Sequence, residues 1–140
     1  MADIFKEIID VSVLKGLDGY IFDWSKQASF YSITVGLEEN SKFVGLVEYE
    51  RDNENKFNYI HLIEAKEDFH GKGVAGKLLA YVGLDSIKTE YEGFVVFESK
   101  TLLYDYYVEH YGAKPLGGRR LYFDTETTKK LIRKYLNLEV

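Results

Sequence analysis

Apolar positions along the chain follow two different periods, and the change from one to the other outlines the fold. In residues 30–36 and 43–49 they alternate with polar ones, as half-buried strands do. Within the second run, Val44, Leu46 and Glu48 fall on one face and Phe43, Val47 and Tyr49 on the other. The cluster Asp52, Asn53, Glu54, Asn55 then reads as a turn, and residues 57–65 as a third strand antiparallel to the second. Near the N-terminus, Ile4, Ile8 and Val11 share one helical face, which predicts a short helix over residues 4–11. Residues 12–27 show no period and receive no assignment.

The helical period takes over after a charged loop at residues 66–68 and a glycine-rich turn. Val74, Leu78, Leu79, Val82 and Ile87 recur at helical spacing. Residues 91–97 return to a buried strand. Residues 101–111 predict a helix with Leu102, Leu103 and Tyr106 on one face, ended by Gly112. Gly117 and Gly118 sit between two short extended runs in residues 113–124, a hairpin signal. Residues 125–135 close the pattern as a helix. Leu131, Ile132 and Tyr135 are available for packing, with Lys129, Lys130, Arg133 and Lys134 on the wetter faces. The order predicts an α/β (mixed α+β) fold with one mixed sheet.

Composition narrows the function. At 140 residues with 46% apolar, the chain suits one domain with a sizeable core. The net charge of −5 argues against a general nucleic-acid binder. The charge is uneven, however: residues 114–140 carry +4 and residues 1–113 carry −9. Cysteine is absent, which excludes disulfides, thiolate metal sites and a cysteine nucleophile. His61, His70 and His110 have no metal-ligand spacing, so no metal is expected. No apolar run is long enough for a membrane span and the N-terminus carries no signal pattern, so a soluble, cytoplasmic protein is expected. The 12 Tyr and 9 Phe suit sheet packing, with one or two hydroxyls available for chemistry in a cleft.

The most informative segment is His70-Gly71-Lys72-Gly73-Val74-Ala75-Gly76-Lys77-Leu78. A strand feeding a glycine turn that opens a helix aims backbone N–H groups outward with the helix dipole behind them, which makes a phosphate cradle. A nucleotide P-loop fits Gly71, Gly76 and Lys77, yet Leu78 stands where a hydroxyl must hold magnesium. A dinucleotide turn fits Gly71, Gly73 and Gly76, with Glu98 at a suitable distance. Against it, five residues separate the strand from the glycines, and an antiparallel meander precedes them.

The same segment resembles the acetyl-coenzyme A loop of the GNAT acetyltransferase superfamily, whose motif is Arg/Gln-x-x-Gly-x-Gly/Ala. Here it reads His70-x-x-Gly73-x-Ala75, with His70 in place of the usual Arg or Gln. A histidine makes phosphate contact depend on protonation, since an unperturbed imidazole titrates near ~6.5. Downstream, Tyr106-Tyr107-Val108-Glu109-His110-Tyr111-Gly112-Ala113 resembles the family's aromatic-Tyr-x-x-x-Gly-Phe helix end, though Tyr107 lies five residues before the glycine rather than four. The resemblance spans about two thirds of the chain. It implies a mixed, mostly antiparallel sheet, splayed at the cofactor site and flanked by helices. Residues 30–124 would be the core of a single acetyltransferase-like domain, residues 1–28 an atypical acceptor-side region without the family's two helices, and residues 125–140 a C-terminal helix.

What the resemblance implies for chemistry is an N-acetyltransferase that uses acetyl-coenzyme A and a primary amine, by direct attack. The pantetheine arm would lie along Ile63, Glu64 and Ala65, with a backbone N–H near Glu64 or Ala65 facing the thioester oxygen. The pyrophosphate would lie at His70, Gly71, Lys72, Gly73, Val74, Ala75, Gly76 and Lys77. Tyr107 is the first candidate for the acid that protonates the thiolate, and Tyr106 the second. Glu64 and Glu48 are carboxylates in apolar strands and hence candidate bases, with His61 a third. The acidic body suits a small-molecule or peptide amine acceptor, such as a polyamine, a lysine side chain or an aminoglycoside. No nucleic acid or membrane is expected, and the chain would be a monomer or homodimer. The alternative is a non-catalytic coenzyme A-binding or protein-interaction module on the same fold.

Overall fold

A computed structural model describes residues 3–100 and 102–140. The described strands are β1 (Ile4–Glu7), β2 (Ile33–Glu39), β3 (Lys42–Asp52), β4 (Phe57–Ala65), β5 (Val95–Glu98), β6 (Lys114–Gly117) and β7 (Arg120–Phe123). They form one sheet in the order β1-β2-β3-β4-β5-β7-β6. Every neighbouring pair is antiparallel except β4 with β5. Helix α1 (Val74–Lys88) makes the crossover between those two parallel strands, α2 (Tyr104–Tyr111) leads from β5 to the β6–β7 hairpin, and α3 (Thr125–Leu136) follows β7.

The main core lies between one sheet face and the helices. Val35, Val47, Tyr49, Val95, Phe97, Leu121 and Phe123 pack there with Leu78, Leu79 and Val82 of α1 and Ile132 of α3. A smaller cluster of Leu14, Trp24 and Leu46 covers the other face of β3. Strand β3 is therefore buried on both sides from Val44 to Tyr49.

Strict alternation along β3 fails at one point. Phe43 packs with the N-terminal cluster and Val44 with the main core, the reverse of the expected faces. A bulge between Leu37 and Glu38 in the β2–β3 register puts Phe43 opposite Glu38 and Gly45 opposite Leu37, which turns the strand by one residue there.

The helix expected over residues 4–11 is instead edge strand β1 and a turn of 3-10 helix at Val11–Leu14, capped by the Asp10 carboxylate accepting from Ser12 N–H. The residue that packs against the core is the half-buried Phe5, stacked 4.6 Å from the Tyr81 ring, and not Ile4 of the helical stripe, which is 48% exposed. Eight residues are too few to hold a helix without packing, and sheet pairing with β2 supplies what a lone turn lacks. Strand β2 begins three residues later than expected, leaving Phe30 and Tyr31 exposed ahead of it.

Helix α2 ends at Gly112 in the left-handed conformation, as its position predicts. Its inner face is Tyr104, Tyr107, Val108 and Tyr111 rather than Leu102, Leu103 and Tyr106, of which Leu102 is wholly exposed. Both stripes have helical spacing, so the period cannot choose between them; the contact of Tyr107 with Phe97 does. Residue 101, where the expected helix began, lies outside the described residues. The β6–β7 hairpin turns at Gly117 and Gly118, and Leu131 and Ile132 of α3 are buried, both as expected.

Candidate active site

The site begins where two parallel strands part. Strands β4 and β5 pair only at Asn58 with Val95, Tyr59 with Val96, and Ile60 with Phe97. On the other edge of β4, Leu62 lies opposite Glu48 and Ile60 opposite Tyr49, so His61 is an extra, bulged residue. Past His61 the strands diverge and leave a cavity of about 500 Å³. Residues 60–65 form one wall and Phe97, Glu98, Ser99 and Lys100 the other; Tyr107 and Tyr111 come from α2.

Backbone alternation shows which groups face this opening. Lys66 N–H donates to Val44 O on β3 at 2.8 Å, so Glu64 and Leu62, two and four residues back, also bond toward β3. Ile63 and Ala65 therefore turn their N–H and C=O groups into the opening, where β5 offers no partner. The ring of His70 closes part of this edge, donating from Nε2 to Ala65 O at 3.0 Å. The N–H of Glu64 thus points away from the cavity, and those of Ile63 and Ala65 point into it.

At one end the cavity meets the start of α1. Gly71 and Gly73 take positive φ values of 76° and 80°, and Gly73 is the N-cap, with no side chain to satisfy the first turn. The first bond back along the helix is Lys77 N–H to Gly73 O, which leaves the N–H groups of Val74 and Ala75 without intrahelical acceptors. His70, Gly71, Gly73, Val74 and Ala75 all line the cavity. Lys72, Gly76 and Lys77 do not. Lys72 lies over the Phe69 ring at 5.2 Å, and Lys77 pairs with Asp3 at 3.0 Å. A Cβ on Gly76 would stand 2.4 Å from the Tyr135 ring, so that glycine lets α3 approach α1.

The titratable candidates separate by partner. Tyr107 lines the cavity, its ring set edge-on to Phe97 at 5.0 Å, and its hydroxyl makes no hydrogen bond to another described residue. Burial pushes its phenol above the usual value. Tyr106 lies nearer the solvent, stacked on His110 at 4.7 Å. The Glu64 carboxylate accepts from Ile21 N–H, Phe22 N–H and Trp24 Nε1–H at 2.6, 3.2 and 2.8 Å. Glu48 is fully buried away from the cavity and accepts from Ala28 N–H and Ser32 Oγ, each at 2.7 Å. Both carboxylates hold the N-terminal segment in place. His61 lines the cavity and its Nε2 lies 2.6 Å from Glu50 Oε1. Glu50 stands opposite Tyr59 in the register, diagonal to His61, a placement that only the β3–β4 pairing reveals.

Among the described residues, no three His, Asp or Glu side chains gather as a metal-holding group, and no helix is long and apolar enough to cross a membrane.

The fold recurs widely. AtaTR bound with AcCoA superposes with a TM-score of 0.69 over 94% of this chain and 98% of that one, at 13% identity. The KacTA–DNA complex gives 0.68 over 94% and 99%, at 11% identity. A GNAT-family acetyltransferase from Staphylococcus aureus Mu50 gives 0.61 over 89% and 99%, at 12% identity. Identities this low carry the fold alone. Because a chain of this fold occurs in a DNA-containing complex, the expectation of no nucleic-acid partner rests on charge alone. No curated protein sequence matches the chain. The sequence itself matches the acetyltransferase (GNAT) family over residues 2–83, more than half its length, and the chain belongs to that family.

Proposed function

We propose that the protein transfers an acetyl group from acetyl-coenzyme A to a primary amine. The observation that carries this reading is the edge of β4 that has no strand partner past Ile60: Ile63 and Ala65 turn backbone groups into a cavity with a helix N-terminus at its end and a tyrosine hydroxyl on its wall. The residues fit the cofactor's chemistry at both places. A pantetheine arm has amides that can pair with a free strand edge as another strand would. A pyrophosphate suits the N–H groups of Val74 and Ala75, with Gly71 and Gly73 allowing close approach. The family to which the chain belongs, and the AcCoA held by a protein of the same fold, agree with it.

Bound there, acetyl-coenzyme A supplies a thioester whose departing thiolate needs a proton. Tyr107 provides it from within the cavity, since burial holds its hydroxyl protonated through the neutral range. The N–H of Ile63 or Ala65 donates to the carbonyl oxygen as charge develops on it. Ile21 and Phe22, fastened through Glu64, border the mouth. The acceptor is a small molecule or peptide bearing a primary amine.

The test is thiol release from acetyl-coenzyme A with a panel of primary amines. Release that depends on both the amine and Tyr107 supports the reading. Binding of acetyl-coenzyme A without release for any amine would leave a coenzyme A-binding module.

A further inference from the structure

The charge pair at the β4 bulge has no structural duty comparable to that of Glu48 or Glu64. His61 and Glu50 hold no loop, and both are partly open to solvent, their side chains 19% and 26% exposed. The bulge gives His61 no cross-strand partner on β3 and puts its imidazole on the wall of the cavity, at the residue where β4 and β5 part. A carboxylate only accepts, so the short contact places a proton on Nε2, and in the neutral ring the lone pair is then on Nδ1. Two residues of strand, about 6.6 Å, separate His61 from Ile63, whose N–H faces the same opening. Tyr107 leans on Phe97, which lies opposite Ile60 in the register, so an acid and a base flank one end of the cavity. The other carboxylates on β3 and β4 that could serve, Glu48 and Glu64, already accept two and three hydrogen bonds.

We propose that His61 is the general base for the acceptor amine, with Glu50 as the positioning residue that fixes its tautomer. The inference rests on the N-acetyltransferase reading. The acceptor ammonium gives one proton to His61, which passes it to solvent. The freed nitrogen lone pair forms the bond to the acetyl carbon as the carbon–sulfur bond breaks. The second nitrogen proton restores the one that Tyr107 gives to sulfur, so amide, thiol and one released proton balance the reaction. Around His61 stand Glu50 from β3, Tyr59 beside it on β4 at 5.1 Å between rings, and Glu98 and Lys100 across the opening, with Lys100 Nζ donating to His61 O at 3.2 Å. Arg120 of β7 lines the same surface hollow as Glu50 and Tyr59.

The experiment measures thiol release from acetyl-coenzyme A with spermidine, kanamycin and a lysine-containing peptide, from pH 6 to 9, for the wild type, His61→Gln, His61→Ala and Glu50→Gln. Calorimetry gives the affinity of each protein for acetyl-coenzyme A. The expected result is a rate that rises with pH in the wild type, a kcat about 100-fold lower and a flattened profile in His61→Gln, and a smaller loss in Glu50→Gln. Acetyl-coenzyme A affinity stays unchanged, and added imidazole partly restores His61→Ala. Turnover that survives His61→Gln, or a loss that imidazole does not relieve and that follows weakened acetyl-coenzyme A binding, would overturn the assignment of His61 alone. A wild type that binds acetyl-coenzyme A and acetylates none of the amines would overturn the transferase reading and this one with it.

Discussion

The indole N–H of Trp24 donates to the carboxylate of Glu64 at 2.8 Å, tying the N-terminal segment to the strand that edges the cavity. Trp24 is 2% exposed, and the same carboxylate takes the N–H groups of Ile21 and Phe22. Glu64→Ala leaves a buried indole donor unpaired, and the expected cost is about 2 kcal/mol in urea unfolding at pH 7. Trp24 is the single tryptophan, so its fluorescence should shift to the red in Glu64→Ala while the wild type emits as a buried indole.

Gly73, the N-cap of α1, and Gly76, inside its first turn, should respond differently to alanine. Gly73 holds φ at 80°, so Gly73→Ala costs about 1 kcal/mol in strain and puts a methyl group beside the N–H groups assigned to phosphate. Its acetyl-coenzyme A affinity should fall. Gly76→Ala drives a methyl group into the Tyr135 ring and costs about 1–3 kcal/mol, with affinity near that of the wild type. Tyr135→Leu should recover part of the Gly76→Ala loss. Calorimetric titration and thermal unfolding of the four proteins separate the two roles.

Removing one hydroxyl tests the acid. Tyr107→Phe should lower kcat about 100-fold with acetyl-coenzyme A affinity unchanged. Tyr106→Phe, altered nearer the solvent, should have little effect. Because burial raises the Tyr107 phenol above its ordinary value of 10.0, the wild-type kcat should not fall with rising pH below about 10.

Acid stability should report the cap of α3. Asp124 accepts from Lys114 Nζ and from Thr127 N–H, and these hold its carboxyl at about 2. An unfolded aspartate titrates near ~3.9, so the stabilisation is full above that pH and is lost as pH falls toward 2. Thermal unfolding at pH 7, 4 and 2 should show the wild type losing stability between the last two. Asp124→Ala should start about 1 kcal/mol lower and lose less over that interval.

The parts of this fold that sequence made legible are those specified locally. The glycine turn, the apolar stripe of α1, Gly112 and the Gly117–Gly118 hairpin each declare themselves within a few residues. Segment β1 did not, because Ile4, Ile8 and Val11 suit a helix as well as anything and only pairing with β2 decides. The inner face of α2 was ambiguous for the same reason: two stripes share one period, and Phe97 selects between them. In the site, the cavity-lining members of the loop were legible from the motif. The diversion of Lys77 to Asp3, 74 residues away, was not. Glu64 and Glu48 read as carboxylates out of place in apolar strands, which they are. The partners of Glu64 lie in the unpatterned residues 12–27 and those of Glu48, Ala28 and Ser32, just beyond them, where no period announces a hydrogen bond. His61 meets Glu50 through the register of β3 on β4, a pairing between strands that leaves no mark on composition.

The most direct measurement is a calorimetric titration of the protein with acetyl-coenzyme A, followed in the same sample by backbone amide shifts. Saturable one-site binding that moves the amides of Ile63, Ala65, Gly73, Val74 and Ala75 is the expected result. No binding at millimolar acetyl-coenzyme A, or binding that leaves those five amides unmoved, would contradict it.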